Sequence, residues 1–333
     1  MLNVALIGYG YWGPNVARQV YRNKELNLIY ICDLKTERLE LAKQLYANDV
    51  QYTTSFEEVL SDKSVDAVCL AVETSAHYKL GKKVIEAGKH LYVEKPFTDS
   101  VAQALELKEM ANQKDILIHV DHIMIYHPAI KKVKEIIDAG ELGDIIYMDC
   151  SRMNLGKVKN DVSAMWDLSV HDLSIIDYLS NGEEVKTVKS MGRIIYSTKP
   201  SVTFITADYG SFIANIKANW ISPIKERKLI IAGTKKMLVY DDVDVLNKLI
   251  VYDKGFDVIK DSDPIEYSEF VVKTRSGDAI IPKLDVGDAL YNSIEHFRQC
   301  IISGRESMSG PNAAIRVLTV LEEADKNMTI SPG

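Results

Sequence analysis

Met1-Leu2-Asn3-Val4-Ala5-Leu6-Ile7-Gly8-Tyr9-Gly10-Tyr11-Trp12-Gly13 runs from a short apolar segment straight into a G-x-G-x-x-G turn, and Asp33 follows twenty residues after the last glycine. Val4 to Ile7 reads as a buried strand, Pro14 to Tyr21 as the opening of a helix, and Leu28 to Cys32 as a second apolar strand closed by Asp33. The whole βαβ unit fits within about 30 residues. Gly8 permits the tight turn, Gly10 lets a pyrophosphate approach the backbone, and Gly13 lets helix and strand pack closely. The helix N-terminus then offers unpaired N–H groups to phosphate. A carboxylate at the end of the second strand accepts hydrogen bonds from ribose hydroxyls and repels the extra phosphate of NADP, so Asp33 points to NAD. The bland alternative, ordinary turn glycines and a strand-end acid, has to explain why strand, helix and acid all stand in register.

Outward from this unit the pattern continues as strand and helix in alternation. Ala67 to Ala71, His90 to Val93 and Ile116 to Val120 are further short apolar runs. Between them lie a helix capped by Ser55, a helix from His77 to Glu86 ahead of Gly88, and a helix from Ser100 to Gln113. Alternation of this kind implies a doubly wound parallel sheet, with its ligand at the carboxyl ends of the strands. After about residue 122 the rhythm changes. Ala129 to Asp138 and Asp167 to Leu179 read as helices, followed by strands at Val185 to Tyr196, Val202 to Tyr209, Ser211 to Trp220, Lys228 to Ile231 and Met237 to Tyr240 with hairpin-length connections. Leu290 to Ile302 and Asn312 to Lys326 close the chain as amphipathic helices. The expected architecture is α/β: a Rossmann domain over residues 1–121 and an α+β domain with a large, mostly antiparallel sheet over 122–333. No Gly/Ser linker divides them, so a firm interface with the site between the domains is expected.

With 333 residues the chain exceeds a typical single core, and 47% hydrophobic with 26% charged residues is ordinary globular composition. No apolar stretch approaches the roughly 18 residues of a membrane span, and no basic leader precedes the first strand, so a cytoplasmic location is expected. Cys32, Cys69, Cys150 and Cys300 are scattered, which suits buried thiols better than a disulfide or metal framework, and no metal is expected. A formal charge of -7 argues against nucleic acid as a partner.

Glu94-Lys95-Pro96 directly follows the strand His90 to Val93, which places a lysine at the carboxyl edge of the sheet. Asp167-Leu-Ser-Val-His171 opens a helix of the second half, and its acid and imidazole, four residues apart, project from one helical face. The amino-terminal glycine fingerprint, the Glu-Lys-Pro and the Asp-x-x-x-His, in this order and spacing, resemble the Gfo/Idh/MocA oxidoreductases over nearly the full length. The resemblance implies that Lys95 sits beside the nicotinamide and the reacting carbon, and that Asp167 and His171 supply a second acid or base. Removing a hydride from a secondary alcohol requires a base for the hydroxyl proton and a positive charge for the developing alkoxide. His171 as base with Lys95 steadying the oxygen is one assignment, and the reverse is open, because a desolvated lysine beside a cationic ring can lose its proton. Singly, such a histidine is often structural and such a lysine a solvated charge.

The same resemblance implies that the loop after Ala71 passes over the pyrophosphate and the nicotinamide ribose, where Thr74 and His77 match the polar positions; Glu73 departs from the small residue or proline usual there. Tyr11, Trp12, Arg38, Glu94 and Trp166 complete the cofactor candidates. Trp12 and Arg38 flank pyrophosphate and adenine or are surface packing, and Trp166 covers the nicotinamide or fills core. Asp172, beside His171, faces elsewhere and reads as structural. Gly8 to Asn15, Tyr126-His-Pro-Ala129, Arg152-Met-Asn154-Leu-Gly156, Trp166-Asp167 and Trp220 to Arg227 look like the branch acting on UDP-linked amino sugars, whose members oxidise the sugar 3-hydroxyl ahead of an aminotransferase dependent on pyridoxal phosphate. UDP-N-acetylglucosamine is the expected substrate. Tyr126, Arg152, Asn154, Asp167, His171, Lys225 and Arg227 are its candidate ligands, with Lys157 a further cation for the diphosphate. Each of these cations is also readable as a solvated strand-edge charge. The alternatives are a 3-ketoreductase of a nucleotide-linked deoxysugar, which Asp33 disfavours, and an NAD(H)-sensing regulator without turnover, which has no use for a proton acceptor. The resemblance further implies a homodimer or homotetramer formed on the open face of the antiparallel sheet.

Overall fold

The computed structural model describes residues 1–46, 49–160, 162–259 and 271–331. The chain falls into two compact units, 1–127 with 287–322 and 128–286 with 323–333.

In the first unit β1 (Leu2–Ile7), α1 (Gly13–Arg22), β2 (Leu26–Cys32), α2 (Thr36–Lys43), β3 (Gln51–Thr53), α3 (Phe56–Ser61), β4 (Ala67–Leu70), α4 (Thr74–Glu86), β5 (His90–Val93), α5 (Val101–Gln113) and β6 (Ile118–Val120) alternate as the apolar pattern predicts. The strands are all parallel, in the order β3-β2-β1-β4-β5-β6. Strand order reverses between β1 and β4, the place where doubly wound sheets take their ligands. Ser55 caps α3 through its side chain, as expected, and Ser100 caps α5. β3 escapes the sequence pattern because three residues are too few to show a period.

The second unit begins with α6 (Pro128–Asp138), β7 (Ile145–Leu155), a π-helical turn at Met165–Ser169 and α7 (Val170–Leu179). It continues through β8 (Thr187–Ile194), β9 (Pro200–Asp208), β10 (Ile213–Asn219), β11 (Ile221–Gly233), β12 (Met237–Asp241), β13 (Leu249–Ile259) and β14 (Val271–Ile280). After the helices α8 (Ala289–Ser303) and α9 (Pro311–Lys326), β15 (Met328–Ser331) completes a nine-stranded sheet ordered β14-β13-β12-β11-β7-β10-β9-β8-β15. Its pairs are antiparallel except β7 with β10 and β8 with β15. Along β10, Ala214, Ile216 and Ala218 are buried and alternate with outward Ile213, Asn215 and Lys217, the period of a half-buried strand. β7 lies in the middle of the sheet yet shows no clean apolar run, because Arg152 points inward among Met148 and Cys150.

The helices α8 and most of α9 belong to the first unit. In α8, Leu290, Ile294 and Phe297 recur at helical spacing and join the core made by Val4 and Leu6 of β1, Val16 and Val20 of α1, and Tyr92 of β5. Full burial of side chains of this size is worth about 1.5–3 kcal/mol each, so α8 is held firmly to the sheet that carries the glycine turn. All four cysteines are buried thiols. No helix among the described residues is long and apolar enough to cross a membrane.

Candidate active site

β1 ends at Ile7, and the chain turns at Gly8 with φ of +93°. A Cβ there would lie 2.4 Å from the carbonyl oxygen of Ala71, immediately beyond β4. At Gly13 a Cβ would lie 2.1 Å from the carbonyl oxygen of Gly8. Both positions are closed to side chains by the protein's own backbone. Gly10 is different: the nearest atom to its Cβ position is Arg38 Nη1 at 3.4 Å, the far end of a flexible side chain. The protein's own packing therefore does not require glycine at residue 10. α1 starts at once, with no side-chain hydrogen bond at its cap; Pro14 has no N–H and Asn15 N donates to Trp12 O, so the N–H groups left for an anion are those of the turn leading into Gly13.

Asp33 closes β2 and is buried. Its Oδ2 accepts from Tyr9 N at 2.7 Å and its Oδ1 from Lys35 N at 2.8 Å, while Arg38 Nη1 lies 3.2 Å from Oδ2. Arg38 Nη1 also lies 3.5 Å from Oδ1, so a donor faces each of the carboxylate's roughly four lone-pair sites, and the two long contacts from the flexible Arg38 are the ones a ribose hydroxyl would replace. Arg38 thus spans from Asp33 to the front of Gly10. Tyr11 is 95% exposed and Trp12 half-buried. A single flexible guanidinium before Gly10, a helix start without a side-chain cap and an oriented strand-end carboxylate together fit a dinucleotide with free ribose hydroxyls.

Two strands along from β1, β5 delivers Glu94-Lys95-Pro96 at the same sheet edge, with a cis bond between Lys95 and Pro96. His77, fully buried at the first turns of α4, braces this loop: its Nδ1 is 2.9 Å from Pro96 O and its Nε2 3.1 Å from Val72 O. Burial holds the imidazole below its ordinary pKa, and a neutral ring has one N–H, so it donates to one carbonyl at a time. Its position makes it a frame between two strand-end loops. Thr74, half-buried, opens the same helix. The Glu94 carboxyl meets Asp121, which follows β6. Burial first and the Asp121 charge second push Glu94 well above the carboxylate range, with Lys95 pulling the other way. His122 is pushed down to about 4 by burial and, after it, by the charge of Lys95. Tyr126 is fully buried, its ring 5.7 Å from that of His119 and 5.5 Å from that of His296.

In the second unit Asp167 lies within the π turn and His171 in the first turn of α7, so their four-residue spacing crosses a junction between helix types. Single π turns recur at functional sites. Lys159 Nζ stands 2.9 Å from Asp167 Oδ1, and Trp166 donates its indole N–H to Asp325 Oδ2 at 2.6 Å. His171 is half-buried. Its neighbour Asp172 turns inward, as expected, and takes Arg152 in a buried fork: Arg152 Nε is 3.2 Å from each carboxylate oxygen and Nη2 2.8 Å from Oδ1. Burial alone would lower the Arg152 pKa, and Asp172 overrides it. Arg152 therefore fastens α7 to β7, while Arg227 Nη1 lies 3.4 Å from Asp242. Lys157 and Lys225 are exposed, and Asn154 packs half-buried against Gly156.

The first unit gathers Gly8, Gly10, Gly13, Trp12, Asp33 and Arg38 at one turn and Thr74, His77, Glu94 and Lys95 at the adjoining strand ends. The second gathers Trp166, Asp167 and His171 at one helix start. Sequence reading passes over Asp121 and Lys159. Asp121 carries a signal, an acid directly after a strand, whereas Lys159 has none short of its partner. No cluster of three or more metal-ligating side chains occurs among the described residues.

Residues 2–122 match a family model described as an oxidoreductase family with an NAD-binding Rossmann fold, and residues 130–239 match a Gfo/Idh/MocA C-terminal domain. The chain is 27% identical to the scyllo-inositol 2-dehydrogenase (NAD(+)) of Bacillus subtilis, covering 89% of this chain and 93% of the relative. It is 26% identical to the UDP-N-acetylglucosamine 3-dehydrogenase of Acidithiobacillus ferrooxidans, covering 95% and 94%. A solved structure of the latter enzyme superposes with a TM-score of 0.80 at 25% identity, over 98% of this chain and 97% of that one.

Proposed function

Because the chain belongs to the Gfo/Idh/MocA oxidoreductase family and carries its NAD-binding Rossmann domain, we propose that it oxidises the 3-hydroxyl of a UDP-linked amino sugar, UDP-N-acetylglucosamine, to the 3-keto sugar with NAD as oxidant. The observation that carries this reading is Lys95 at the carboxyl end of β5, at the edge where the glycine turn and Asp33 receive the dinucleotide. Asp33 favours NAD over NADP, since its oriented carboxylate serves free ribose hydroxyls. The nucleotide-sugar substrate is supported by similarity to the UDP-N-acetylglucosamine 3-dehydrogenase over nearly the whole chain.

Bound NAD supplies the hydride acceptor. Lys95 and His171 divide the remaining work, one taking the hydroxyl proton and the other steadying the oxygen. The buried carboxyl groups beside Lys95 give a proton somewhere to go, which favours Lys95 as acceptor over the sequence-based preference for His171; Asp167 then orients His171. With Arg152 committed to Asp172 and Arg227 beside Asp242, the exposed Lys157 and Lys225 are the cations assigned to the diphosphate. The product ketone is a substrate for an aminotransferase dependent on pyridoxal phosphate. Outward Met191, Phe204 and Ile213 on the large sheet support a homo-oligomer, and a light-scattering mass of one chain would refute it.

The scyllo-inositol 2-dehydrogenase relative gives a second reading, a free cyclitol. Purified protein with NAD⁺ should form NADH with UDP-N-acetylglucosamine when the ketone is trapped, and Lys95→Met should abolish turnover while retaining dinucleotide binding. NADH from scyllo-inositol alone would move the assignment to cyclitols, and silence with both would retire the proposal.

A further inference from the structure

Beneath Lys95 the first unit holds a run of buried polar side chains that the reaction as described does not use. Asp121, His119, Ser293 and Tyr92 are each at most 1% exposed. Ser293 Oγ donates to Asp121 Oδ1 at 3.0 Å and lies 3.0 Å from both Tyr92 Oη and His119 Nε2. His119 Nδ1 lies 2.9 Å from Ser307 Oγ, on the half-buried segment after α8.

The hydrogens in this run are assigned by valence. A serine hydroxyl has one proton and two lone pairs. The proton of Ser293 goes to Asp121, so Tyr92 and His119 must both donate to Ser293. His119 then carries its proton on Nε2, and its Nδ1 accepts from Ser307. Ser309 N donates to Ser307 Oγ at 3.0 Å and the Tyr126 hydroxyl faces the same serine, which is half-buried and so meets solvent. The links form one unbroken donor sequence, Ser307 to His119 to Ser293 to Asp121, all pointing inward. At the inner end, Glu94 Oε1 and Asp121 Oδ2 are enclosed and have no partner of normal hydrogen-bond geometry among the described residues, while Tyr92 and Trp12 face the Asp121 carboxyl and the Lys95 backbone faces Glu94. Two carboxyl groups so placed share one proton. Burial favours the protonated form of each, Glu94 the more strongly raised, and keeps His119 neutral. The other groups facing the pair are Lys95, Trp12, Tyr92 and Cys69, with Tyr126 on the short helical turn after β6.

We propose that Asp121, Ser293, His119 and Ser307 form a proton-conducting chain linking the Glu94 carboxyl, beside Lys95, to solvent. It rests on Lys95 handling the substrate proton as proposed above. In that reaction the C–H electron pair leaves as hydride to the nicotinamide, the O–H pair becomes the second bond of the ketone, and one proton is released. A proton arriving on Lys95 has the ionised member of the carboxyl pair as its next acceptor. The outward transfer starts from the chain with its donors turned outward, Asp121 to Ser293, Ser293 to His119 Nε2, His119 Nδ1–H to Ser307 and Ser307 to water; each group takes a proton on one side and releases one on the other, and the transfer leaves the donors pointing inward as assigned above. These residues act through Lys95 and are positioning and relay groups.

The test uses protein free of NAD and sugar. Infrared spectra at neutral pH are expected to show the carbonyl stretch of a protonated carboxyl, absent in Glu94→Gln and shifted on transfer to D₂O. Ser293→Ala and Ser307→Ala should slow that shift about tenfold or more, because each removes a hydroxyl link and a tenfold change needs little added barrier. Ser307→Thr, which keeps the hydroxyl, should restore it. Absence of the band, or exchange at the wild-type rate in both alanine variants, overturns the chain. Since no turnover is measured, failure of the sugar assignment leaves these outcomes readable. In active enzyme Ser307→Ala should lower kcat without changing KM, with recovery in concentrated imidazole buffer; an unchanged kcat would remove the chain from turnover.

Discussion

The two units bury polarity in opposite ways. Beneath Lys95, the first unit keeps its interior groups neutral or sharing a proton: His119 and His122 are held unprotonated, and Glu94 and Asp121 divide one proton. Under α7, the second unit buries a full charge pair, Arg152 with Asp172. Removing ions from water is costly, and a chain meets that cost either by moving a proton or by supplying a counter-ion. The first solution answers to pH and suits a region that handles protons. The second is indifferent to pH near neutrality and suits a region that must hold a helix start, and with it His171, in one place.

The sharpest way to break this contrast is to remove one charge from the buried pair. Arg152→Met should destabilise by about 3–5 kcal/mol, because it strands the Asp172 carboxylate away from water. Adding Asp172→Leu should recover most of the loss. Denaturant unfolding of the two variants checks both statements. A single variant within about 1 kcal/mol of wild type would mean the pair behaves like a surface bridge, and the two units would no longer differ in kind.

Acid titration probes the other side. His122 stands at about 4 in the folded chain, below the ordinary value near 6.5. Between those values the unfolded chain binds a proton that the folded chain does not. This contribution is therefore complete above about pH 6.5 and lost as pH falls toward 4, by up to about 3 kcal/mol. The carboxyl pair has the reverse sign: its raised values add stability below the usual carboxylate range that is lost as pH rises. His122→Asn should flatten the acid limb of a midpoint-against-pH curve, while Arg152→Met should keep the His122 contribution to that limb and lower stability most toward neutral and higher pH, where the stranded carboxylate has to stay charged. Equal flattening by both variants would erase the distinction.

Within the first unit the three glycines sharpen it further. Gly8→Ala and Gly13→Ala force a Cβ against backbone oxygens and should each cost about 1–3 kcal/mol. Gly10→Ala meets only Arg38 and should leave the melting temperature unchanged while weakening NAD binding in a titration. Equal destabilisation at all three would remove the argument that residue 10 faces a ligand.

These glycines are also where the sequence is easiest to read, since a turn into a helix restricts residue type locally and Asp33 closes a short unit. The parallel alternation, the Ser55 cap and α8 carry local signatures of the same sort. β7 does not, because the inward Arg152 breaks its apolar alternation. The helix expected from Asp167 onward is present, but as a π turn to Ser169 and as an α-helix from Val170, since the sequence of a π turn resembles that of an α-helix and packing chooses between them. That α8 and α9 return to the first unit is not visible from amphipathic period, which marks a buried face without naming what covers it. Asp121, Ser293 and Ser307 meet only through this return, so no linear motif announces them.

The smallest effect is the most discriminating, because it concerns an ion pair of nearly the same length in a more exposed place. Lys159 and Asp167 form an ion pair at 2.9 Å, close to the 2.8 Å of Arg152 and Asp172, but the lysine is 42% exposed and the acid 18%. Such a pair contributes at most about 1 kcal/mol, less at high salt. Lys159→Ala should shift the unfolding midpoint slightly in dilute buffer and not at all in concentrated salt. If Asp167 works with His171, the same variant should change KM and the pH profile of kcat/KM more than it changes stability, since it alters the charge beside the imidazole without opening the core. A stability loss rivalling that of Arg152→Met would mean that the π turn is as dry as the interface between α7 and β7, and Asp167 would then be part of the second unit's frame, with no remaining claim to the reaction.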